Sequence, residues 1–148
     1  MPSLLATNDF PPKVGGIQSY LYELWRRLPA EATTVLTTPH EGDDDWDRRQ
    51  GFRIERTAQG FLLPTRAVRH RVEEVAREVG ADVVFLDPML PLGQIGPRLD
   101  VAPYVVVAHG AEVTVYGRIP GSRTAARRVL RRAAGVVAAG DYAAEMVE

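Results

Sequence analysis

The chain has 148 residues, 45% of them hydrophobic and 25% charged, and its basic and acidic side chains nearly cancel to a formal net charge of -1. That is the composition of one ordinary globular domain or a large piece of one; 13 glycines and 11 prolines fall well short of a low-complexity chain. Near-neutrality supplies no global field to steer the protein onto nucleic acid, and the lack of any cysteine excludes disulfide scaffolds, cysteine nucleophiles and thiolate metal sites.

In chain order, residues 3–7 form a short apolar run that suits a buried strand. Residues 8–16 read as a loop, stiffened by Pro11 and Pro12 and loosened by Gly15 and Gly16. Ile17, Tyr20, Leu21, Leu24, Trp25 and Leu28 then follow the spacing of an amphipathic helix, which Pro29 ends. Residues 33–38 are rich in β-branched side chains and predict a second strand. The acidic stretch 40–50 lacks periodicity and reads as a surface loop, followed by a weakly alternating strand at 52–56.

Thr65 can cap a helix whose stripe is Val68, Val72, Val75, Ala76 and Val79, with Gly80 just past its end. Residues 82–86 read as a fully buried strand and 91–99 as a short helical segment. The most hydrophobic strand is 104–108, with His109 and Gly110 directly after it. Ser122 is the expected cap of a helix carrying Ala126, Val129, Leu130 and Ala133 on one side and closed by Gly135. Residues 136–139 are the last strand, and 141–148 start a further helix. Valine-rich strands alternating with amphipathic helices predict an α/β, Rossmann-like parallel sheet with helices on both faces.

Ligands of such sheets sit beyond the carboxyl ends of the strands, near the point where strand order reverses. Two of these ends carry unusual residues. Gly15 and Gly16 open a helix whose first-turn amides favour a phosphate; on spacing alone they read as a tight turn, since neither a Walker A loop nor a G-x-G-x-x-G pattern is present. His109 and Glu112 follow the strongest strand. The imidazole can meet a sugar hydroxyl or a phosphate, or move a proton, with Glu112 orienting it; equally, both can serve backbone hydrogen bonding, and the two readings stay open.

His40, Glu41 and the neighbouring aspartates lack calcium-loop spacing and read as a solvated loop. Arg123, Arg127, Arg128, Arg131 and Arg132, beside Arg118, read as a solvated face that can also lie against anionic lipid headgroups. Arg66, Arg69, His70 and Arg71 make a smaller basic cluster at a helix start, where they oppose the macrodipole. No nucleophile elbow surrounds any serine, and no metal-ligand cluster is visible.

The stretch Thr7-Asn8-Asp9-Phe10-Pro11-Pro12-Lys13-Val14-Gly15-Gly16-Ile17-Gln18-Ser19-Tyr20-Leu21 resembles the opening of family-4 retaining glycosyltransferases, most of all the actinobacterial phosphatidylinositol-mannoside mannosyltransferases that use GDP-mannose. His109-Gly110-Ala111-Glu112, followed by Pro120-Gly121-Ser122-Arg123, is similar to the second signature of that group. Residues 136–147 look like the strand and helix that come next, usually with a serine where this chain has Gly140.

The resemblance implies one half of a two-domain GT-B architecture: residues 1–148 as a truncated N-terminal, acceptor-side domain, without the C-terminal nucleotide-sugar domain and therefore inactive alone. It implies His109 as the catalytic contact to the sugar, and Gly15, Gly16 and Glu112 on the donor side. Asp9, Lys13, Arg66 and Arg69 fall on the acceptor side. The implied partners are a nucleotide sugar (GDP-mannose as co-substrate, with no cofactor or metal), a lipid or glycan acceptor and an anionic membrane surface, but no nucleic acid. No signal peptide or run of about 18 apolar residues is legible, so the expected location is cytoplasmic, at the inner face of the membrane. The competing reading is a stand-alone Rossmann-like module that binds a phosphate and catalyses nothing.

Overall fold

The computed structural model describes residues 1–110, 114 and 117–140. Six strands, β1 (Ser3–Thr7), β2 (Thr33–Thr37), β3 (Arg53–Arg56), β4 (Val83–Asp87), β5 (Tyr104–Ala108) and β6 (Gly135–Ala138), form one sheet in the order β3-β2-β1-β4-β5-β6. Every neighbouring pair is parallel. This is the doubly wound order, with its reversal between β1 and β4.

The helices are α1 (Gly16–Trp25), α2 (Asp43–Asp47), α3 (Arg66–Glu78) and α4 (Ser122–Arg132), with 3-10 turns at Ala30–Ala32 and Leu92–Arg98. Alternation along the central strands builds two cores. Leu4, Ala6, Leu36, Val84, Leu86 and Val106 meet α3, the Leu92–Arg98 turn and α4 on one face. Leu5, Val35 and Val107 meet Leu21 and Trp25 of α1 on the other. The α/β architecture with helices on both faces is therefore as the periodicity predicts.

Local differences have local causes. The 40–50 stretch is not all loop: residues 43–47 form α2, whose first turn carries Asp43, Asp44 and Asp45 where the helix dipole favours negative charge. Trp46 fixes it by packing edge-on against Phe10 and Tyr22, with ring centroids 5.9 and 5.3 Å away. The first helix ends at Trp25 rather than at Leu28, because the last turn tightens to Leu28 N–H donating to the Trp25 carbonyl at 3.1 Å.

The 91–99 segment is a 3-10 turn with Pro97 inside it. Gly96 is needed there, since a Cβ would stand 2.4 Å from the Tyr104 ring. Gly121, in left-handed backbone at φ 83, is the N-cap of α4; Ser122 is its first helical residue instead of its cap. Gly135 starts β6 and does not close α4, which ends at Arg132 with Ala133 as its C-cap. Thr65 does cap α3, accepting from Val68 N–H, and Gly80 takes the left-handed conformation beyond that helix at φ 62. The helix expected over 141–148 lies outside the described residues.

Candidate functional site

The sheet brings the ends of β1 and β4 side by side at the reversal point, with Thr7 opposite Asp87 in the register. Asp87 is completely buried. The Thr7 hydroxyl donates to its Oδ2 at 2.6 Å, and His109, just beyond the end of β5, is joined to its Oδ1 through Nε2. The imidazole is itself only 6% exposed and meets the Tyr20 ring edge-to-face at 6.1 Å. His109 is thus held beside the reversal point by Asp87 of β4 and Tyr20 of α1, with Thr7 of β1 bonded to Asp87 behind it.

The loop from β1 to α1 is anchored along its first half, from Asn8 to Pro11. Asn8, buried, makes a reciprocal pair with the Leu62 backbone: its Nδ2 donates to the carbonyl at 3.1 Å, and its Oδ1 accepts from the amide at 2.6 Å. Phe10 is buried in an aromatic cage of Tyr22, Trp46 and Phe52. Arg56 ties the loop to the far side of the sheet. It grips Asp47 with two bonds of 2.7 and 3.1 Å and donates to the carbonyls of Thr38 and Pro11 at 2.9 and 2.7 Å. A bidentate, largely buried arginine pair of this kind fixes geometry as well as charge.

Where this loop enters α1, the two glycines have different jobs. Gly15 caps the helix in extended backbone at φ 166, which any residue can adopt. What excludes a side chain there is Gln18, whose Oε1 would lie 2.1 Å from the added Cβ. A Cβ on Gly16 meets nothing within 4 Å. The first turn is therefore open on the Gly16 side, and the helix begins its own bonding only with Ser19 N–H to the Gly15 carbonyl at 3.1 Å. The amides before it are the orphan donors of a helix start.

Asp9 and Lys13 come together here. Asp9 Oδ1 accepts from Gln18 Nε2 at 2.9 Å and from Lys13 Nζ at 3.3 Å, while the Asp9 amide donates to Thr7 Oγ1 at 2.9 Å. Arg66 and Arg69 are not part of that cluster. With Pro64, Thr65, Ile95 and Arg98 they line a separate cleft of about 430 Å³ between the start of α3 and the Leu92–Arg98 turn. Glu112 lies outside the described residues.

The sequence reading missed Asp87, Thr7, Gln18 and Arg98. The available signal for the first was a lone carboxylate closing an otherwise apolar strand. Among the described residues no cluster of His, Asp or Glu is arranged to hold a metal, and no helix is long and apolar enough to cross a membrane.

The sheet order, with its reversal between β1 and β4, defines a Rossmann-like domain of the kind found in GT-B glycosyltransferases. Crystal structures of Anabaena HepE share the fold. The complex with UDP superposes with a TM-score of 0.68 at 16% identity, over 99% of this chain and 40% of that one. The complex with UDP and glucose gives 0.68 at 17% over the same shares. No family model matches the chain.

In sequence, the chain is homologous to mannosyltransferases. It is 35% identical over 133 residues to the GDP-mannose-dependent alpha-(1-6)-phosphatidylinositol monomannoside mannosyltransferase of Mycolicibacterium smegmatis. The Mycobacterium tuberculosis protein of the same description is 36% identical over 135 residues. A GDP-mannose-dependent monoacylated relative from Corynebacterium glutamicum is 29% identical over 132 residues. These matches cover 85 to 86% of this chain, which spans about a third of the relatives' length.

Proposed function

We propose that this chain is the acceptor-side domain of a retaining glycosyltransferase, moving mannose from GDP-mannose to a lipid or glycan acceptor such as a phosphatidylinositol mannoside, and that it acts only together with a nucleotide-sugar domain. The observation that carries the reading is the open first turn of α1 at Gly16, set at the reversal point where His109 is held. Transfer needs stabilisation of a departing nucleoside diphosphate and of an oxocarbenium-like sugar. Orphan amides at a helix start suit the first. His109 contacts the sugar, Gly15 and Gly16 present backbone to the donor, and Asp9 and Lys13 border the acceptor.

Arg66 and Arg69 face an acceptor phosphate from their own cleft. The arginine side of α4 rests on anionic headgroups at the inner face of the membrane, which brings the domain to a lipid acceptor.

The test is a chimera in which this chain replaces the matched third of the M. smegmatis mannosyltransferase, assayed with labelled GDP-mannose and phosphatidylinositol mannoside. Transfer is expected. His109→Ala and Gly16→Trp should each reduce it by at least about 10²-fold, the usual cost of losing one acid–base or charge-stabilising element, with circular dichroism unchanged. Undiminished turnover in both variants overturns the site. A folded chimera that binds a phosphate ligand at the α1 start without turnover marks a binding module instead.

A further inference from the structure

We propose that Asp87 is a positioning residue for His109: it fixes the imidazole as its Nε2–H tautomer and aims the ring. The role in transfer rests on the reading of His109 as the sugar contact; the fixing of the ring does not. An ionised carboxylate can only accept hydrogen bonds, so the nitrogen that meets Asp87 Oδ1 carries the proton. In a neutral ring the other nitrogen is then the basic one.

The carboxylate cannot swing away to release the ring. It is completely buried, and its second oxygen accepts from the Thr7 hydroxyl at 2.6 Å. Thr7 is held in turn, because its Oγ1 accepts the Asp9 amide at 2.9 Å. Tyr20 closes on the ring edge-to-face at 6.1 Å. A chain of bonds therefore runs from the loop between β1 and α1, through Thr7 and Asp87, to the imidazole. A histidine whose far nitrogen is tied to a carboxylate in this way has both its tautomer and its rotamer set by that partner.

The experiment is nitrogen NMR of the 148-residue chain labelled at histidine. The sequence has three histidines, His40, His70 and His109, so His109→Gln assigns the signal. In its neutral ring His109 is expected to show a single Nε2–H tautomer, while the exposed His40 and His70 average. Asp87→Ala should release the ring to the averaged pattern. Asp87→Asn, which keeps an acceptor oxygen, should restore the bias in part.

If the alanine variant does not fold, Thr7→Val, which retains the carboxylate and removes only its second bond, should give a broadened, partly averaged His109 signal. An Nδ1–H tautomer in the unaltered protein overturns the proposal. So do ring-nitrogen shifts unmoved by every one of these substitutions.

This readout needs neither donor nor acceptor, so it stands or falls apart from the transferase reading. In the chimera, Asp87→Ala should lower kcat/KM by roughly 10–100-fold, the scale for removing the partner that orients an imidazole, with partial recovery in Asp87→Asn. Equal losses in both variants with the tautomer unchanged would make Asp87 a packing group and nothing more.

Discussion

Two arginine-rich amphipathic helices cover the same face of the sheet, and they use their charges in opposite ways. On α3, Arg71 pairs with Glu74 at 2.6 Å and with Glu55 of β3 at 3.4 Å, while Arg77 reaches Asp100 at 2.9 Å. Glu78 of the same helix meets Arg53 at 2.8 Å. On α4 the sequence from Ser122 to Arg132 contains no acidic residue, and among the described residues its five arginines form no ion pair. Arg132 donates to the Pro97 carbonyl at 3.2 Å.

Anchoring differs too. Val68, Val72, Val75 and Ala76 of α3 are buried, against Val129 alone on α4. Tyr104 adds one tether by donating its hydroxyl to the Val129 carbonyl, and burial pushes that phenol above its ordinary value. Like charges four residues apart, such as Arg127 and Arg131, cost a helix a few tenths of a kcal/mol each. The charges of α3 from Arg71 onward thus belong to the fold. Those of α4 repel one another along the helix that carries them, which is the physical ground for the proposal that they meet an anionic partner.

The largest effect should appear in vesicle binding. An arginine near an anionic surface contributes about 1 kcal/mol, so replacing Arg123, Arg127, Arg128 and Arg131 by Gln should weaken binding to phosphatidylinositol-containing vesicles by roughly 10³-fold. Removing Arg71 and Arg77 from α3 should change it by no more than about threefold, since those charges are already neutralised in the fold. Sedimentation with neutral and anionic vesicles measures both. Equal loss from the two helices, or equal binding to both vesicle types, erases the distinction between them. The same four substitutions should leave the fold slightly more stable, not less.

Next in size is the anchoring itself. Val72→Ala removes wholly buried methyl groups and leaves a cavity, costing about 2–3 kcal/mol, read as a lower urea midpoint with an unchanged slope. Val129→Ala should show first as faster amide exchange across residues 122–132 while exchange in α3 stays slow, because α4 has one buried side chain to lose. Uniform acceleration in both helices would mean that they open as one unit. Thr65→Ala, which takes away the α3 cap seen at Val68 N–H, should cost about 1 kcal/mol.

Much of this was legible in the chain, and the remainder was hidden for identifiable reasons. Strand periods and the stripe from Val68 to Val79 depend on neighbours in sequence, so the sheet, α3 and the Thr65 cap could be read directly. Asp87 could not: it ends its strand as an aspartate before a proline, an ordinary turn start. Its meaning depends on register with Thr7, 80 residues away, and on His109 arriving beside it from β5. Helix α2 escaped for the same reason, since Trp46 gains its partners Phe10 and Tyr22 only once α1 is docked. Gly15 and Gly16 look alike in sequence, and only packing shows that Gln18 closes one while the other stays open. Arg66 and Arg69 lie close to each other on α3 but in a different cleft from Asp9 and Lys13, a separation that no linear reading contains.

The smallest difference between the helices is a matter of acidity. Arg53 hydrogen-bonds Glu78 and holds its carboxyl below the ordinary range, while the same contact raises the Arg53 guanidinium. The folded chain therefore binds that proton less readily than the unfolded one. The stabilisation is complete above the unfolded value of about 4.3 and is lost as pH falls through the lower folded value. Because both side chains are exposed, the contribution is small and screened by salt.

Melting curves of the unaltered protein and of Glu78→Gln should thus differ slightly at neutral pH, converge as the pH is taken below 4, and differ less at high ionic strength. The sequence of α4 contributes no carboxylate to this window, so its amide exchange relative to α3 should fall behind as acid weakens the α3 lattice. A gap between the two melting curves that persists into strong acid would show that Glu78 acts through packing, and the contrast between a charge-stitched helix and an unstitched one would then rest on the lipid experiment alone.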